Sequence, residues 1–333
     1  MNINNPAHLK ITLLVEGLDI DNKIKKDLGT FYQEKIYSYS LTDWTTEKVL
    51  LPSDIKLDHR AYVGFRFNPK SKWKLIKEKE NFYVSYQNER KIPVELIPRP
   101  KYYDKKISSG KKVQEIGVSC GNHGVSFFIN SFCEYFLNNE NCKFCGLVPT
   151  QRRFSDTVKR KTPEQVYEAT RIILDSGEQV DFVQLSGGSC YDHDKEVKRY
   201  IPFVSKIHEQ LNKRRLVDDI PIHLTSMPPK NFNLLEELKD CGLKTISFDL
   251  ECPSQQYFEK YCPGKAKSYG YKEMRNALKQ ALNVFGEGNV YSIVILGIEP
   301  RESFVNNLED IINDGIIPTL NTVSYTHLTL PTN

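Results

Sequence analysis

The sequence predicts an α/β protein whose larger, C-terminal part is a parallel sheet with helices outside it, and three observations predict this. From about residue 113, short apolar runs alternate with helical stretches in a repeated β-α order. The runs are apolar enough for burial on both faces, as parallel strands require. Polar and small residues gather where the runs end, which is where α/β folds carry their sites. On this pattern alone a barrel and an open doubly wound sheet fit equally.

The elements follow in order. Residues 125–130 (VSFFIN) form the first strand. Residues 163–176 form a helix, with Thr162 as N-cap, Pro163 in the first helical position and Gly177 beyond the end. The second strand, 181–185 (DFVQL), runs into Ser186-Gly187-Gly188. A helix at 195–211 leads to the third strand, 222–226 (IHLTS), and a helix at 233–241 to the fourth, 245–251 (TISFDLE). A helix at 271–285 precedes the fifth strand, 290–297 (VYSIVILG). A helix at 302–314 precedes a sixth strand beginning at 316–320.

Residues 1–112 have no steady period and are rich in Tyr, Lys and Pro. Segments 8–15 (HLKITLLV) and 82–86 (FYVSY) read as strands, and 21–36 as a helix. IPRPKYYDKK, with Pro98 and Pro100, reads as a linker or an extended crossing strand. This part is expected to be a mixed α/β accessory domain, 1–112, ahead of a main domain at 113–321. Residues 322–332 (TVSYTHLTLPT) read as a sequencing-library transposase adapter translated in frame. On that reading the natural C-terminus is truncated near Asn321, and 322–333 is set aside from fold reasoning.

Composition narrows the function classes. The 333 residues are 39% hydrophobic and 26% charged, as in globular proteins. No apolar run approaches the ~20 residues that span a bilayer. The start, MNINNPAHLK, lacks a secretory pattern. A cytoplasmic protein with no membrane partner is expected. Residues 1–112 hold 22 Lys and Arg against 14 Asp and Glu, and the remainder 24 against 28. The basic residues are interleaved with acids (KLIKEKENF), as on a solvated face, so nucleic acid is not the expected partner.

Cys133, Cys142 and Cys145, in CEYFLNNENCKFCG, carry the chemistry. Three thiolates from one loop can hold an iron–sulfur cluster and leave one iron without a protein ligand. An open iron is a place for reaction, which points to an enzyme. The other cysteines are 120, 190, 241, 252 and 262. Clustered cysteines in a chain of this length and kind more often bind metal than form disulfides.

The β-α alternation, the cysteine loop and the glycines together resemble the radical S-adenosylmethionine (radical SAM) superfamily, in its biotin synthase-like branch, over about 113–320. The resemblance implies a partial (β/α)6 TIM-type barrel. The usual family spacing is C-x3-C-x2-C, whereas this chain has C-x8-C-x2-C, an insertion that can fold back at modest cost. It implies a [4Fe–4S] cluster on Cys133, Cys142 and Cys145, with S-adenosylmethionine chelating the fourth iron. Reductive cleavage then gives a 5′-deoxyadenosyl radical that takes hydrogen from a small-molecule substrate. An electron donor such as flavodoxin or ferredoxin and sensitivity to oxygen follow.

Residue roles follow from the same resemblance. Phe144 would lie near adenine. Ser186, Gly187, Gly188 and Ser189 stand where a GGE-like stretch receives the methionine amino group. Ser189 replaces the common acid, so one acceptor would come from elsewhere. Asp249-Leu250-Glu251 resembles an N-L-D stretch, with Glu251 on the ribose hydroxyls. ILGIEP (295–300) resembles a G-x-I-x-G-x-x-E element in which Gly297 and Glu299 match. Some relatives hold an auxiliary cluster, for which Cys190, Cys252 and Cys262 are the candidates. Lys265 would meet an acid or solvent.

Two alternatives stand beside this reading. Cys120, His123 and members of the cysteine loop could close a structural zinc site, which needs four protein ligands. A non-catalytic, cluster-binding relative could instead act through its basic N-terminal part. Cys241, near a helix end, reads as packing, and His123 as structural.

Overall fold

The computed structural model describes residues 5–35, 50–58, 61–121, 123–147 and 158–321, so the adapter-like stretch lies outside the described residues. The chain divides into two compact units, residues 1–103 with 120–122, and residues 104–119 with 123–333.

The first unit is built on a six-stranded sheet in the order β1-β4-β5-β6-β2-β3. Its strands are β1 (Asp19–Ile20), β2 (Asp54–Lys56), β3 (Tyr62–Gly64), β4 (Trp73–Glu78), β5 (Asn81–Tyr86) and β6 (Arg90–Leu96). β4, β5 and β6 pair antiparallel, and β5 is the expected aromatic strand. Leu75, Phe82 and Val84 enter a core with Leu9, Leu13, Ile24 and Phe65.

Two expectations are corrected here. Residues 8–15 are not a strand but lie in the helix α1 (Pro6–Glu16). The reason is at its ends. The Asn5 side chain accepts from the Ala7 amide at 2.9 Å, Pro6 takes the first position, and the Gly17 amide donates to the Leu13 carbonyl. These end signals outweigh the β-branched run, and Leu9 and Leu13 bury one helical face. The helix expected over 21–36 is a single turn, α2 (Asn22–Lys25), capped by Asp21. Gly29, at φ +75°, turns the chain, and its amide donates to the Tyr32 carbonyl. Residue 36 lies outside the described residues. The Pro98 segment is extended, bridging antiparallel to Tyr32.

The second unit holds a seven-stranded sheet in the order β13-β12-β11-β10-β9-β8-β7. The strands are β7 (Val118–Cys120), β8 (Gly124–Asn130), β9 (Phe182–Gly187), β10 (Ile222–Thr225), β11 (Thr245–Ser247), β12 (Val290–Ile295) and β13 (Ile317–Asn321). From β8 to β13 every neighbouring pair is parallel. The helices are α3 (Val113–Ile116), α4 (Pro163–Leu174), α5 (His193–Lys213), α6 (Asn233–Asp240), α7 (Gln255–Tyr261), α8 (Pro263–Ser268), α9 (Tyr271–Phe285) and α10 (Arg301–Asn313).

Strand order decides what the β-α pattern left open. A doubly wound sheet reverses its order at a switch point, whereas here each strand lies beside the next in sequence, as in a barrel. The unit is a partial (β/α)6 TIM-type barrel. Val183, Leu185, Ile222, Leu224, Val290 and Val294 are buried. Gln184, His223 and Tyr291, which alternate with them, form a polar row, in which His223 Nδ1 lies 2.8 Å from Thr245 Oγ1 and its ring meets Tyr291 edge-on. α4 begins as the sequence indicates, with Thr162 and Gln165 forming a reciprocal capping box.

The fourth strand is shorter than expected. β11 pairs Ile246 with Val290 and Ser247 with Tyr291, but Glu251 then bridges Val294, a register shift of one residue. Side chains replace the ladder across this bulge. Asp249 Oδ1 accepts from the Ile293 amide at 3.1 Å, and Ser292 Oγ accepts from the Leu250 amide at 3.0 Å. Glu251 emerges at φ +63°, a left-handed backbone that a non-glycine residue adopts only when its surroundings impose it.

Candidate functional site

The cysteine loop leaves the C-terminal end of β8. Cys133 precedes a 3₁₀ turn over Glu134–Asn138, and a tight turn brings the Cys145 amide 3.0 Å from the Cys142 carbonyl. The three thiols lie within electrostatic range of one another: Cys142 raises Cys133, and both raise Cys145. Backbone amides of Tyr135 and Ser189 point at the Cys133 sulfur, and that of Leu147 at Cys145. Burial pushes the Cys133 thiol up to about 11 and Cys145 further. Cys142 is raised by its contact with the Cys262 thiol and by burial. Phe144 is half-buried within the turn.

The eight-residue gap is packed, not looped out. Tyr135 is 2% exposed, with its hydroxyl 2.8 Å from Ser268 Oγ and its ring edge-on to Tyr191. Glu140 accepts from the Tyr191 hydroxyl at 2.6 Å and from Lys267 Nζ. Its carbonyl accepts from the Gly264 amide at 2.8 Å. A Cβ on Gly264 would sit 2.5 Å from the Tyr135 ring, so only glycine lets α8 close on the insertion.

The glycine pair after β9 serves a related end. A Cβ on Gly188 would stand 2.2 Å from the Phe132 carbonyl oxygen and 2.7 Å from the Cys133 amide. The Gly188 amide donates to the Asn130 carbonyl at 2.7 Å, and the Ser189 carbonyl accepts from the Glu134 amide at 2.8 Å. Gly188 thus lets the end of β9 approach the chain's own cysteine loop closely. Ser186 lies half-buried at the end of β9.

Asp249 is internal, its carboxylate held by Ser247 Oγ and the Ile293 amide. Glu251 turns toward the thiols. Lys265 Nζ donates to its Oε1 at 2.9 Å and to the Asp249 carbonyl at 2.8 Å. Burial opposes charge on Lys265, but Glu251, Cys142 and Cys262 more than offset it and hold the ammonium well above its ordinary range. Lys265 thus meets an acid, not solvent. Gly297 sits in the turn after β12 at φ +84°. Glu299, 7% exposed, accepts from Ser254 Oγ at 2.5 Å and Ser303 Oγ at 3.0 Å through Oε2. Its Oε1 is buried without a hydrogen-bond partner among the described residues, an acceptor in want of a donor.

One residue escaped the sequence reading. Glu196 on α5 is fully buried, accepting from the Cys190 amide at 2.8 Å and the Met227 amide at 3.1 Å. Burial raises its carboxyl to about 7. The signal was present, because Glu196 falls on the same helical stripe as Tyr200, Phe203, Val204 and Ile207. Cys190 accepts from Arg199 Nη2 at 3.0 Å, while Cys262 interacts with both Cys142 and Cys252. Cys241 donates to the Leu238 carbonyl as packing. A cavity lined by His208, Leu211, Ile222, Gly242 and Phe285 lies at the opposite ends of the strands from these groups.

A family model described as "Radical SAM superfamily" matches residues 139–311, more than half of the chain. The chain belongs to the radical SAM superfamily. This radical SAM chain is 23% identical over 225 residues to "Bacteriochlorophyllide c C-7(1)-hydroxylase" of Chlorobaculum limnaeum, covering 65% of itself and 56% of that protein. It therefore spans little more than half the length of that curated relative. Among solved structures, methylornithine synthase (PylB) is similar at a TM-score of 0.46 and 16% identity, covering 63% of this chain and 58% of that one. The hydrogenase maturase HydG is similar at 0.44 and 14%, covering 60% and 42%.

Membership of the radical SAM superfamily implies a [4Fe–4S] cluster and S-adenosylmethionine. The donor set fits the cluster. A cube takes its thiolates on separate irons. Three thiols on one loop, two with amides aimed at their sulfurs, meet that demand, since such amide contacts help set a cluster's potential. No helix of the described residues is long and apolar enough to cross a membrane.

Proposed function

We propose that Cys133, Cys142 and Cys145 hold a [4Fe–4S] cluster and that the chain cleaves S-adenosylmethionine reductively to act on a small molecule. The supporting observation is the gathering of these three thiols at the C-terminal end of a partial barrel. When bound, the cluster and S-adenosylmethionine supply a 5′-deoxyadenosyl radical. The chain's own residues position the reactants and exclude water. Phe144 lies beside adenine in this reading. Ser186, Gly187, Gly188 and Ser189 shape the methionine end, Asp249 braces the strand end, and Glu251 faces ribose. Gly297 and Glu299 border the nucleotide, with the open Oε1 of Glu299 as an acceptor. The acid missing at Ser189 has a neighbour in buried Glu196.

A flavodoxin- or ferredoxin-type donor supplies the electron, and the protein works in the cytoplasm with the N-terminal unit as an accessory domain. An auxiliary cluster is not part of the proposal, because Arg199 holds the Cys190 sulfur. The test is anaerobic reconstitution. The protein should carry about four irons per chain. With dithionite and S-adenosylmethionine it should release 5′-deoxyadenosine. Cys133→Ala, Cys142→Ala and Cys145→Ala should each lose both properties. Undiminished cleavage by any of them removes that residue from the ligand set.

A further inference from the structure

We propose that Cys142 and Cys262 form a reversible disulfide in the cluster-free protein, a modification site that withdraws one cluster ligand under oxidising conditions. The proposal rests on the ligand assignment above for its consequence, but not for its geometry.

Two backbone hydrogen bonds set that geometry. The Lys143 amide donates to the Tyr261 carbonyl at 2.9 Å, and the Gly264 amide donates to the Glu140 carbonyl at 2.8 Å. The two bonds run in opposite chain directions and bracket Cys142 and Cys262, which lie side by side between them. The Cys262 amide is taken up within its own helix, donating to the Phe258 carbonyl at 2.8 Å. The bond adjoining the two cysteines holds their backbones together, as the short Cα span of a disulfide requires. The Cys262 thiol interacts with the thiols of both Cys142 and Cys252. All three are free thiols.

The surroundings hold this register. Tyr135 to Ser268 and Glu140 to Lys267 clamp the insertion on α8, on either side of the pair. Cys142 is half-buried, whereas Cys262 is fully buried. That difference assigns the order of events. A small-molecule disulfide is attacked by the Cys142 thiolate and releases one thiol. Cys262 then attacks the mixed disulfide and releases the second. The two cysteines lose two protons and two electrons, and the small disulfide becomes two thiols. A dithiol reductant reverses the step.

The geometry thus gives the long C-x8-C gap a purpose. The insertion carries Cys142 to α8 and to a partner outside the ligand set. The experiment uses the whole chain, stripped of iron anaerobically and treated with oxidised glutathione. Free thiols are alkylated, and the linked peptides are mapped by mass spectrometry. A Cys142–Cys262 peptide should dominate, vanish with dithiothreitol, and be absent when the cluster is loaded first. The oxidised chain should fail to take up iron until it is reduced. Cys252→Ser should leave the bridge intact, which excludes a Cys252–Cys262 pairing. Both thiols remaining alkylatable, or a dominant bridge elsewhere, would overturn the proposal. A bridged chain that takes up iron as readily as the reduced one would instead remove Cys142 from the ligand set. Mapping the unsubstituted chain keeps the test independent of the folding of a Cys262→Ser variant.

Discussion

Lys265 Nζ lies 2.9 Å from Glu251 Oε1, and both side chains are almost entirely withdrawn from water. Burying one charge without its partner is costly, whereas burying the matched pair is close to neutral. Lys265→Met should therefore destabilise the barrel unit by about 3–5 kcal/mol in chemical denaturation, since it strands the Glu251 carboxylate. The double variant Lys265→Met with Glu251→Leu should recover much of that loss. If the double variant is as unstable as the sum of the singles, the pair is not the unit described.

Gly188→Ala tests the contact between β9 and the cysteine loop. The added Cβ meets a backbone carbonyl at 2.2 Å, which cannot rotate away. A loss of at least about 1–3 kcal/mol is expected, as for overpacked sites, together with weaker cluster retention. Gly64→Ala is the control, because its nearest neighbour would be 3.9 Å away. Thermal melts of the two variants should separate clearly.

The insertion is predicted to be ordered by its polar clamps. Tyr135→Phe removes the bond to Ser268 and should cost about 1 kcal/mol. Hydrogen exchange of residues 134–141 should quicken in this variant, and further in Glu140→Ala, which releases Tyr191 and Lys267 together. Unchanged exchange in both variants would mean that other contacts hold the segment.

His223 predicts a pH dependence. Burial lowers its imidazole to about 4, against 6.5 in an unfolded chain. Between those values the unfolded chain binds a proton that the folded one refuses. Stability is therefore complete above about 6.5 and falls as pH drops toward 4, by up to about 3 kcal/mol. His223→Gln should flatten this limb of a stability–pH profile. A limb that survives the substitution belongs to another group.

Several features were legible in the order of residues. The α4 cap at Thr162, the helix over 271–285 and five of the six main strands stand within about two residues of their expected limits. Each is a local pattern of period or end signal. The errors were also local but came from competing signals. Around residues 8–15 a β-branched run masked Asn5-Pro6 and Gly17, and across 21–36 a helical composition ran past Gly29.

The sequence by itself determined the α/β class, the three-cysteine loop and the family, because periodicity and short spacing are properties of neighbouring residues. Only the tertiary structure decided between barrel and open sheet, since strand order arises from pairing between distant segments. It also decided that Glu251 meets Lys265, that Glu196 is buried, and that Cys142 faces Cys262. Cys142 and Cys262 come from separate β-α units, and Glu251 and Lys265 from the strand end and helix of one, but the energies of both contacts come from burial and pairing that exist only once the sheet has curled.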